Sequence, residues 1–319
     1  MDDIFDVIII GAGPAGMTAA VYTSRAKMKT LLIEKSVAGG QVAKTEEIEN
    51  YPGFKSILGP DLSNEMFEHS KIFGAKYVNE DVIGIEESYP FKSVLTNHGN
   101  HQTKSVIIAS GAEHRPLGVP GEKELSGAGV SYCAVCDGAF FTDQEIVVVG
   151  GGDSAVEEAI FLTRFASKVT IIHRRDQLRA QKILQKRAQD NEKINFIWNH
   201  IVTEVCGKGM VEGVKIKNVL NNETDFYPSQ GVFIYIGMDP FTEPFKNLDV
   251  TNESGYVIAD ENMKTTVPGI FSAGDVNEKM LRQVITATGD GSIAAISSQQ
   301  YVENLDEEVK EKKEVLARD

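Results

Sequence analysis

Two stretches of the chain carry the same pattern of apolar and polar positions. Residues 6–10 form a short β-branched run that stops at Gly11, residues 14–26 have helical composition, and residues 30–33 are a second apolar run ending at Glu34. That order predicts a strand, a glycine turn, a helix and another strand. Residues 145–149, 150–155, 156–165 and 168–172 repeat it as strand, turn, helix and strand. Strands alternating with helices predict parallel sheets, so the expected class is α/β with two Rossmann-like dinucleotide-binding domains. Beyond Leu305 charges alternate at helical spacing, which predicts a solvated terminal helix.

The first turn reads Gly11-Ala12-Gly13-Pro14-Ala15-Gly16 and the second Gly150-Gly151-Gly152-Asp153-Ser154-Ala155. Glycines let a backbone turn tightly and approach a pyrophosphate, whose charge then sits at the positive N-terminal end of the helix. A glycine fingerprint alone is also met as a plain tight turn. Here the preceding strand, the following helix and a terminal acid accompany it. Glu34 lies 23 positions after Gly11, close to the roughly 20 that place a carboxylate on a ribose hydroxyl. This first cradle suits NAD or the adenosine half of FAD.

Gly150 and His173 are also 23 positions apart, but the charge is reversed: the run is His173-Arg174-Arg175, with Arg179 expected one helical turn on. A guanidinium fork suits a 2′-phosphate that a carboxylate would repel, so the second cradle is expected to prefer NADPH over NADH. The alternative is a solvated basic helix continuing through Lys182, Lys186 and Arg187.

Between the cradles lies Cys133-Ala134-Val135-Cys136. Structural zinc needs four ligands, and His69, His98, His101, His114 and His200 are scattered without the spacing of a zinc module. No metal is expected. A redox pair needs only the two thiols, a proton donor and an electron source. Asp137 is a candidate acid for a departing thiolate, or a turn residue in Asp137-Gly138. Phe140 and Phe141 either pack in the core, the reading favoured here, or are offered to a protein partner, and Cys206 is expected as a small buried apolar group.

Length and charge narrow the function further. At 319 residues the chain is long enough for about two domains. A net charge of -14 speaks against a general nucleic-acid binder or a protein drawn to anionic membranes. No apolar run approaches the roughly 20 residues of a membrane span, and the acidic start lacks the pattern of a signal peptide. Three cysteines make no secreted disulfide framework. A cytoplasmic location is expected.

With both cradles, Cys133-Ala134-Val135-Cys136-Asp137-Gly138 and the His-Arg-Arg run in this order, the chain resembles the low-molecular-weight, bacterial-type thioredoxin reductases from residue 6 to about 305. Further likeness lies in Gly39-Gly40-Gln41, in Asn50 within residues 49–53, in residues 105–111 ending at Ser110-Gly111, in residues 265–275 ending at Gly274-Asp275, in Arg282-Gln283-Val284 and in Gly289-Asp290-Gly291. Ser110 stands where threonine is commoner and keeps the hydroxyl. The resemblance implies FAD in the first cradle, NADPH in the second, and an NADPH domain inserted into the FAD domain. The boundaries would be 1–114 and 242–319 for FAD and 115–241 for NADPH with the dithiol, joined by a hinge at Pro116, Gly118, Pro120, Gly121, Gly237 and Pro240. It further implies electron flow from NADPH through FAD to the Cys133/Cys136 disulfide and on to thioredoxin, with Cys136 facing the flavin and Cys133 attacking the partner, in a homodimer. A reductase on the same scaffold could instead serve a glutaredoxin-like protein, a peroxidase subunit or a low-molecular-weight disulfide. A non-catalytic redox sensor is the reading from another class.

Overall fold

The structure, a computed structural model, describes residues 4–45 and 47–316. The chain forms two units, a discontinuous one of Met1–Glu113 and Asp239–Asp319 and an inserted one of His114–Met238.

In the discontinuous unit, strand Phe5–Ile10 lies mid-sheet, parallel to Thr30–Glu34 on one side and Gly99–Ile108 on the other. Lys76–Asn79 extends the parallel part past Thr30–Glu34, and Ile270–Ser272 pairs with the end of Gly99–Ile108. That long strand begins in an antiparallel meander with Phe91–Thr96 and Val82–Ser88. A strand buried on both faces reads as a continuous apolar run because each alternate residue enters a different core. Val7 and Ile9 join Leu32, Ile107 and Phe271, whereas Ile8 and Ile10 join Leu31, Ile33, Val106 and Ile270. At about 1.5–3 kcal/mol per buried aliphatic side chain, neither face can be left open to water.

The first of these cores is closed by Met17, Ala19 and Ala20 of helix Pro14–Arg25 and by Ala287, Ala294 and Ala295 of helix Val284–Leu316. Small residues let the two helices approach. A Cβ on Gly291 would lie 2.2 Å from the Ala15 carbonyl oxygen. The terminal helix expected after Leu305 is therefore the end of a 33-residue helix whose first half is core.

The inserted unit holds a parallel sheet in the order Val130–Ser131, Gly231–Tyr235, Glu145–Gly150, Lys168–His173, Ile194–Trp198. Ile146, Val148, Ile171 and Phe233 pack on Ala155, Ala159 and Leu162 of helix Asp153–Leu162 and on Leu184 and Ala188 of helix Lys182–Gln189. On the other face, Val147, Val149, Val232 and Ile234 meet Val202, Val205, Val214 and Ile216 of an antiparallel layer, His200–Gly207, Val211–Asn218 and Thr224–Pro228. The helix expected over 156–165 starts three residues earlier, because Gly152 already has the extended backbone of a cap. Residues 174–181 are not helical, so Arg179 lies in a loop and the basic helix begins only at Lys182.

The chain enters the inserted unit through turns at Gly118 and Gly121, with φ of +72° and +82°. A Cβ on Gly121 would lie 1.8 Å from the Val205 carbonyl oxygen. Glu122 follows, only 2% exposed. Its carboxylate accepts from the Leu117 N–H at 2.8 Å, the Gly118 N–H at 2.7 Å and the Tyr132 hydroxyl at 2.6 Å. Tyr132 also stacks on His114, with ring centroids 5.4 Å apart. The entering segment is thus fastened to the residue before Cys133. Glu122→Gln, which sets an amide group against backbone donors, is expected to cost roughly 2–3 kcal/mol. Urea denaturation should show a lower midpoint at an unchanged slope, and Tyr132→Phe a loss of about half that size.

Candidate functional site

Three glycines of the first cradle do three different things. Gly11 has φ +105°, and a Cβ there would fall 2.3 Å from the Ala109 carbonyl oxygen, while one on Gly16 would fall 1.8 Å from the Gly11 carbonyl oxygen. Gly13 instead faces open space, with nothing within 4 Å of a Cβ. Gly13 caps the helix in an extended conformation without a side-chain acceptor and Pro14 begins the first turn, so the amides at this end remain available to an anion. Ala15 is buried against the sheet. Glu34 Oε2 accepts from the Ala12 N–H at 2.8 Å, and Oε1 from the Ser36 N–H and hydroxyl at 3.0 Å. The carboxylate is held at the mouth of the turn with lone pairs to spare.

Further along, Gly40 has φ +59° and a Cβ there would come 3.3 Å from Gly13 Cα. Gln41 donates through Nε2 to the Ala112 carbonyl at 3.2 Å, and Asn50 through Nδ2 to Gln283 Oε1 at 3.1 Å. Gly111 has φ +73° and also faces open space. Gly274, at φ +85°, donates its N–H to Asp290 at 3.0 Å. Asp275 next to it is half-buried, and its buried Oδ1 has no hydrogen-bond partner among the described residues. Burial holds its carboxyl above the usual range, with Lys279 and Arg282 opposing and Asp290 adding to the shift. Arg282 points its guanidinium at the Asp275 and Asn277 carbonyls, at 3.5 and 3.4 Å, and lies over the Tyr256 ring. It braces this loop.

In the second cradle a Cβ on Gly150 would fall 2.4 Å from the Tyr235 carbonyl oxygen and 2.6 Å from Ala155 Cβ. Asp153 accepts from the Gln181 N–H at 2.7 Å and its Nε2 at 3.2 Å, so it fastens the loop after the strand, and Ser154 is exposed. Arg179 and Ala180 donate their N–H groups to the Gly151 carbonyl, at 2.7 and 3.1 Å. This places the Arg179 Nη2 atom 3.8 Å from where a Cβ of Gly152 would stand. Arg174, Arg175 and Arg179 are exposed and share the neighbourhood of His173. His173 itself is buried against Gly151 and Trp198, and its Nε2 has no hydrogen-bond partner among the described residues. Burial first, and then Arg179, Arg174 and Arg175, lower its pKa. The three arginines carry the positive charge of the site and His173 is a neutral packing group.

Cys133 and Cys136 form a disulfide with Cα atoms 5.3 Å apart. Cys133 caps the short helix Ala134–Asp137, and its Sγ accepts from the Cys136 N–H at 3.2 Å. Asp137 accepts from the Ser131 hydroxyl at 2.5 Å, and that oxygen accepts from the Cys133 N–H at 3.0 Å. The Tyr235 hydroxyl accepts from the Ala134 N–H at 2.6 Å. Burial, and next the Glu158 charge, hold that phenol protonated. Phe141 packs edge-on against Phe233 as expected of a core residue, whereas Phe140 is 53% exposed. The chain turns between them, so adjacent rings part company. Cys206 is half-buried beside Glu204, and burial raises its thiol pKa. Ser131, Tyr235 and Glu158 are additions to the sequence-derived set. Tyr235 alone had a signal, since it ends a parallel strand, where α/β folds gather ligands.

The family model for pyridine nucleotide-disulphide oxidoreductases matches residues 5–291. Thioredoxin reductase of Bacillus subtilis strain 168 is 60% identical over 310 residues, covering 97% of this chain and 98% of that protein. The chain belongs to the thioredoxin reductase family. A Listeria monocytogenes thioredoxin reductase is 57% identical over 96% of both chains. The crystal structure from Streptococcus pyogenes superposes with a TM-score of 0.90 at 51% identity, covering 95% of this chain and all of that one. Lactococcus lactis thioredoxin reductase, in a structure described as the FR conformation, gives 0.66 at 52% identity over 94% and 99%.

The cofactors of this family are FAD and NADPH. The residues present fit both. The open space at Gly13, the uncapped amides after it and the partnerless buried oxygen of Asp275 suit FAD. The arginines around Gly152 suit a phosphorylated nucleotide. The chain is accordingly an NADPH-dependent flavoprotein disulfide oxidoreductase. No helix among the described residues is long and apolar enough to cross a membrane.

Glu158 gives the inserted unit a pH dependence. Burial, then the charge of Glu157, pushes its carboxyl from 4.5 up to about 7. In that window the folded chain keeps a proton that the unfolded chain has released, so this group's contribution to stability falls as pH rises and its cost is complete above about 7. Glu158→Gln is expected to gain on the order of 1–3 kcal/mol at pH 8 and little at pH 5, as urea midpoints at the two values will show.

Proposed function

We propose that Cys133, Cys136 and Asp137 carry the chemistry of a thioredoxin-disulfide reductase, with FAD in the first cradle and NADPH in the second. The net reaction is NADPH, a proton and thioredoxin disulfide going to NADP⁺ and thioredoxin dithiol. The observation that carries this reading is the disulfide inside the inserted unit, on the same polypeptide unit as the arginine-lined cradle. The relatives' names favour thioredoxin over a glutaredoxin-like protein, a peroxidase subunit or a small disulfide.

Bound FAD supplies a two-electron carrier between nicotinamide and disulfide. The chain's own residues do the rest. Glu34 and the amides after Gly13 bind the adenosine and pyrophosphate half, with Gly11, Pro14, Ala15 and Gly16 shaping the turn. Gly40, Gln41, Asn50, Gly111, Gly274, Arg282 and Gln283 form the walls, and Asp275 accepts from a ribityl hydroxyl. In the second cradle Gly150, Gly152, Ser154 and Ala155 admit the pyrophosphate, while Asp153 and His173 set the shape that lets Arg174, Arg175 and Arg179 meet the 2′-phosphate. Once the disulfide is reduced, the Cys136 N–H stabilises a thiolate on Cys133. That suits Cys133 to attack thioredoxin and leaves Cys136 to face the flavin. Asp137, held by Ser131, protonates the departing sulfur.

The second cradle and the dithiol both belong to the inserted unit and both need the flavin, so the units turn relative to each other between half-reactions. A cross-link that locks the units should stop turnover, and full activity in the locked enzyme would end this part of the reading. A homodimer in the cytoplasm completes the proposal.

Removing either cysteine should abolish NADPH-driven thioredoxin reduction. Cys136→Ser should stay joined to a single-cysteine thioredoxin supplied as its thionitrobenzoate mixed disulfide, the Cys133 thiolate displacing thionitrobenzoate as the leaving thiol, and Cys133→Ser should not. The reverse pattern on non-reducing electrophoresis would exchange the two roles. Arg174→Ala and Arg175→Ala should each raise KM for NADPH roughly 30-fold, from about 2 kcal/mol per charge-assisted contact, and leave KM for NADH nearly unmoved.

A further inference from the structure

The buried Oδ1 of Asp275 stands beside a charged arrangement to which the proposed function gives no role. Asp290, on helix Val284–Leu316, accepts through Oδ2 from the Gly274 N–H at 3.0 Å and from Lys279 Nζ at 2.5 Å. The side chains of Lys279 and Asp290 are only 14% and 16% exposed. One carboxylate oxygen therefore joins the turn before Asp275, the loop after it and the long helix.

That junction bears directly on the first cradle. A Cβ on Gly274 would lie 2.9 Å from Ala15 Cβ, and one on Gly291 would lie 2.2 Å from the Ala15 carbonyl oxygen. The turn and the helix both press on the residues that shape the pyrophosphate site. Charge matters as much as position. Asp275 and Asp290 are two carboxylates in one half-buried pocket, and the cations facing Asp275 are Lys279 and Arg282. Arg282 is directed at carbonyls, which leaves Lys279 as the cation paired with Asp290.

We infer that Lys279 and Asp290 are positioning residues for the flavin, an ion pair that pins the Gly274–Asp275 turn and thereby sets how tightly FAD is held. The pair acts through Asp275, and the inference rests on the reading of Asp275 as the acceptor for a ribityl hydroxyl. Breaking a poorly solvated ion pair from one side leaves the other charge uncompensated, whereas removing both sides is milder. Lys279→Met leaves two facing carboxylates and should be the more damaging change. Asp290→Asn keeps an acceptor for the Gly274 N–H and removes one charge.

The test is FAD titration of folded apoprotein, with bound and free FAD separated by ultrafiltration and quantified by flavin absorbance, and with the melting temperature of each apoprotein measured alongside. Lys279→Met is expected to raise the FAD dissociation constant roughly tenfold or more, Asp290→Asn by less, and the double variant to bind more tightly than Lys279→Met alone. A purely structural pair would lower the apoprotein melting temperature and leave FAD affinity of the folded fraction unchanged, which would overturn the inference. So would strictly multiplicative effects in the double variant. If Lys279→Met does not fold, Asp290→Asn decides: affinity within twofold of the parent counts against the pair. Asp275→Ala is the control for the underlying reading. If it retains FAD at full affinity, the role of Asp275 is wrong, and if it releases FAD while the pair variants do not, only the clamp is wrong.

Discussion

Backbone meets backbone at the ends of the parallel strands, and no side chain fits between. At Gly11, Gly16 and Gly150 a single added carbon would collide with a carbonyl oxygen of a neighbouring segment, a clash that rotamers cannot relieve because the atom it meets is main chain. This constraint brings each helix down onto its strand with its first amides turned outward. An end of each unit suited to a phosphate follows from it. Glu34 and Arg179 are then placed by the same close turns, each hydrogen-bonded to a cradle backbone group at 2.8 and 2.7 Å. The two units share a construction and differ in the sign of charge presented at its rim.

What the sequence makes legible is what is local. A glycine turn, the apolar runs around it and an acid or arginine 23 positions on are contiguous features, and both parallel sheets can be read from them. The dithiol is legible for the same reason. Through-space relations are not. Ser131 reaches Asp137 only because the short helix at Cys133 folds back. Asp290 finds Gly274 and Lys279 across a loop, and Tyr235 meets Ala134 from a strand about a hundred residues away. The long helix from Val284 hides because its core face is made of Ala, Gly and Ser, whose weak hydropathy gives little periodicity.

Burial also changes what a residue is, even where its place is foreseen. His173 stands at the ribose position of the pattern, yet the sheet encloses it and three arginines disfavour its charge. Asp153 lies in the second cradle and uses its carboxylate on Gln181. Each shapes its site through a neighbour. Glu122 belongs to the same class, since its carboxylate ties the entering segment to Tyr132 and so to the cysteine beside it.

Trp198 is the single tryptophan of the chain. It ends a strand of the inserted unit, flat against Phe196 with centroids 4.9 Å apart, and edge-on to His173. Indole emission therefore arises wholly from the inserted unit, beside His173, whereas a flavin held as proposed in the first cradle would absorb visible light from the discontinuous unit. Under the proposed assignment of the nucleotides each cradle then has an optical gauge of its own, and events at one can be followed without labels while the other is being titrated.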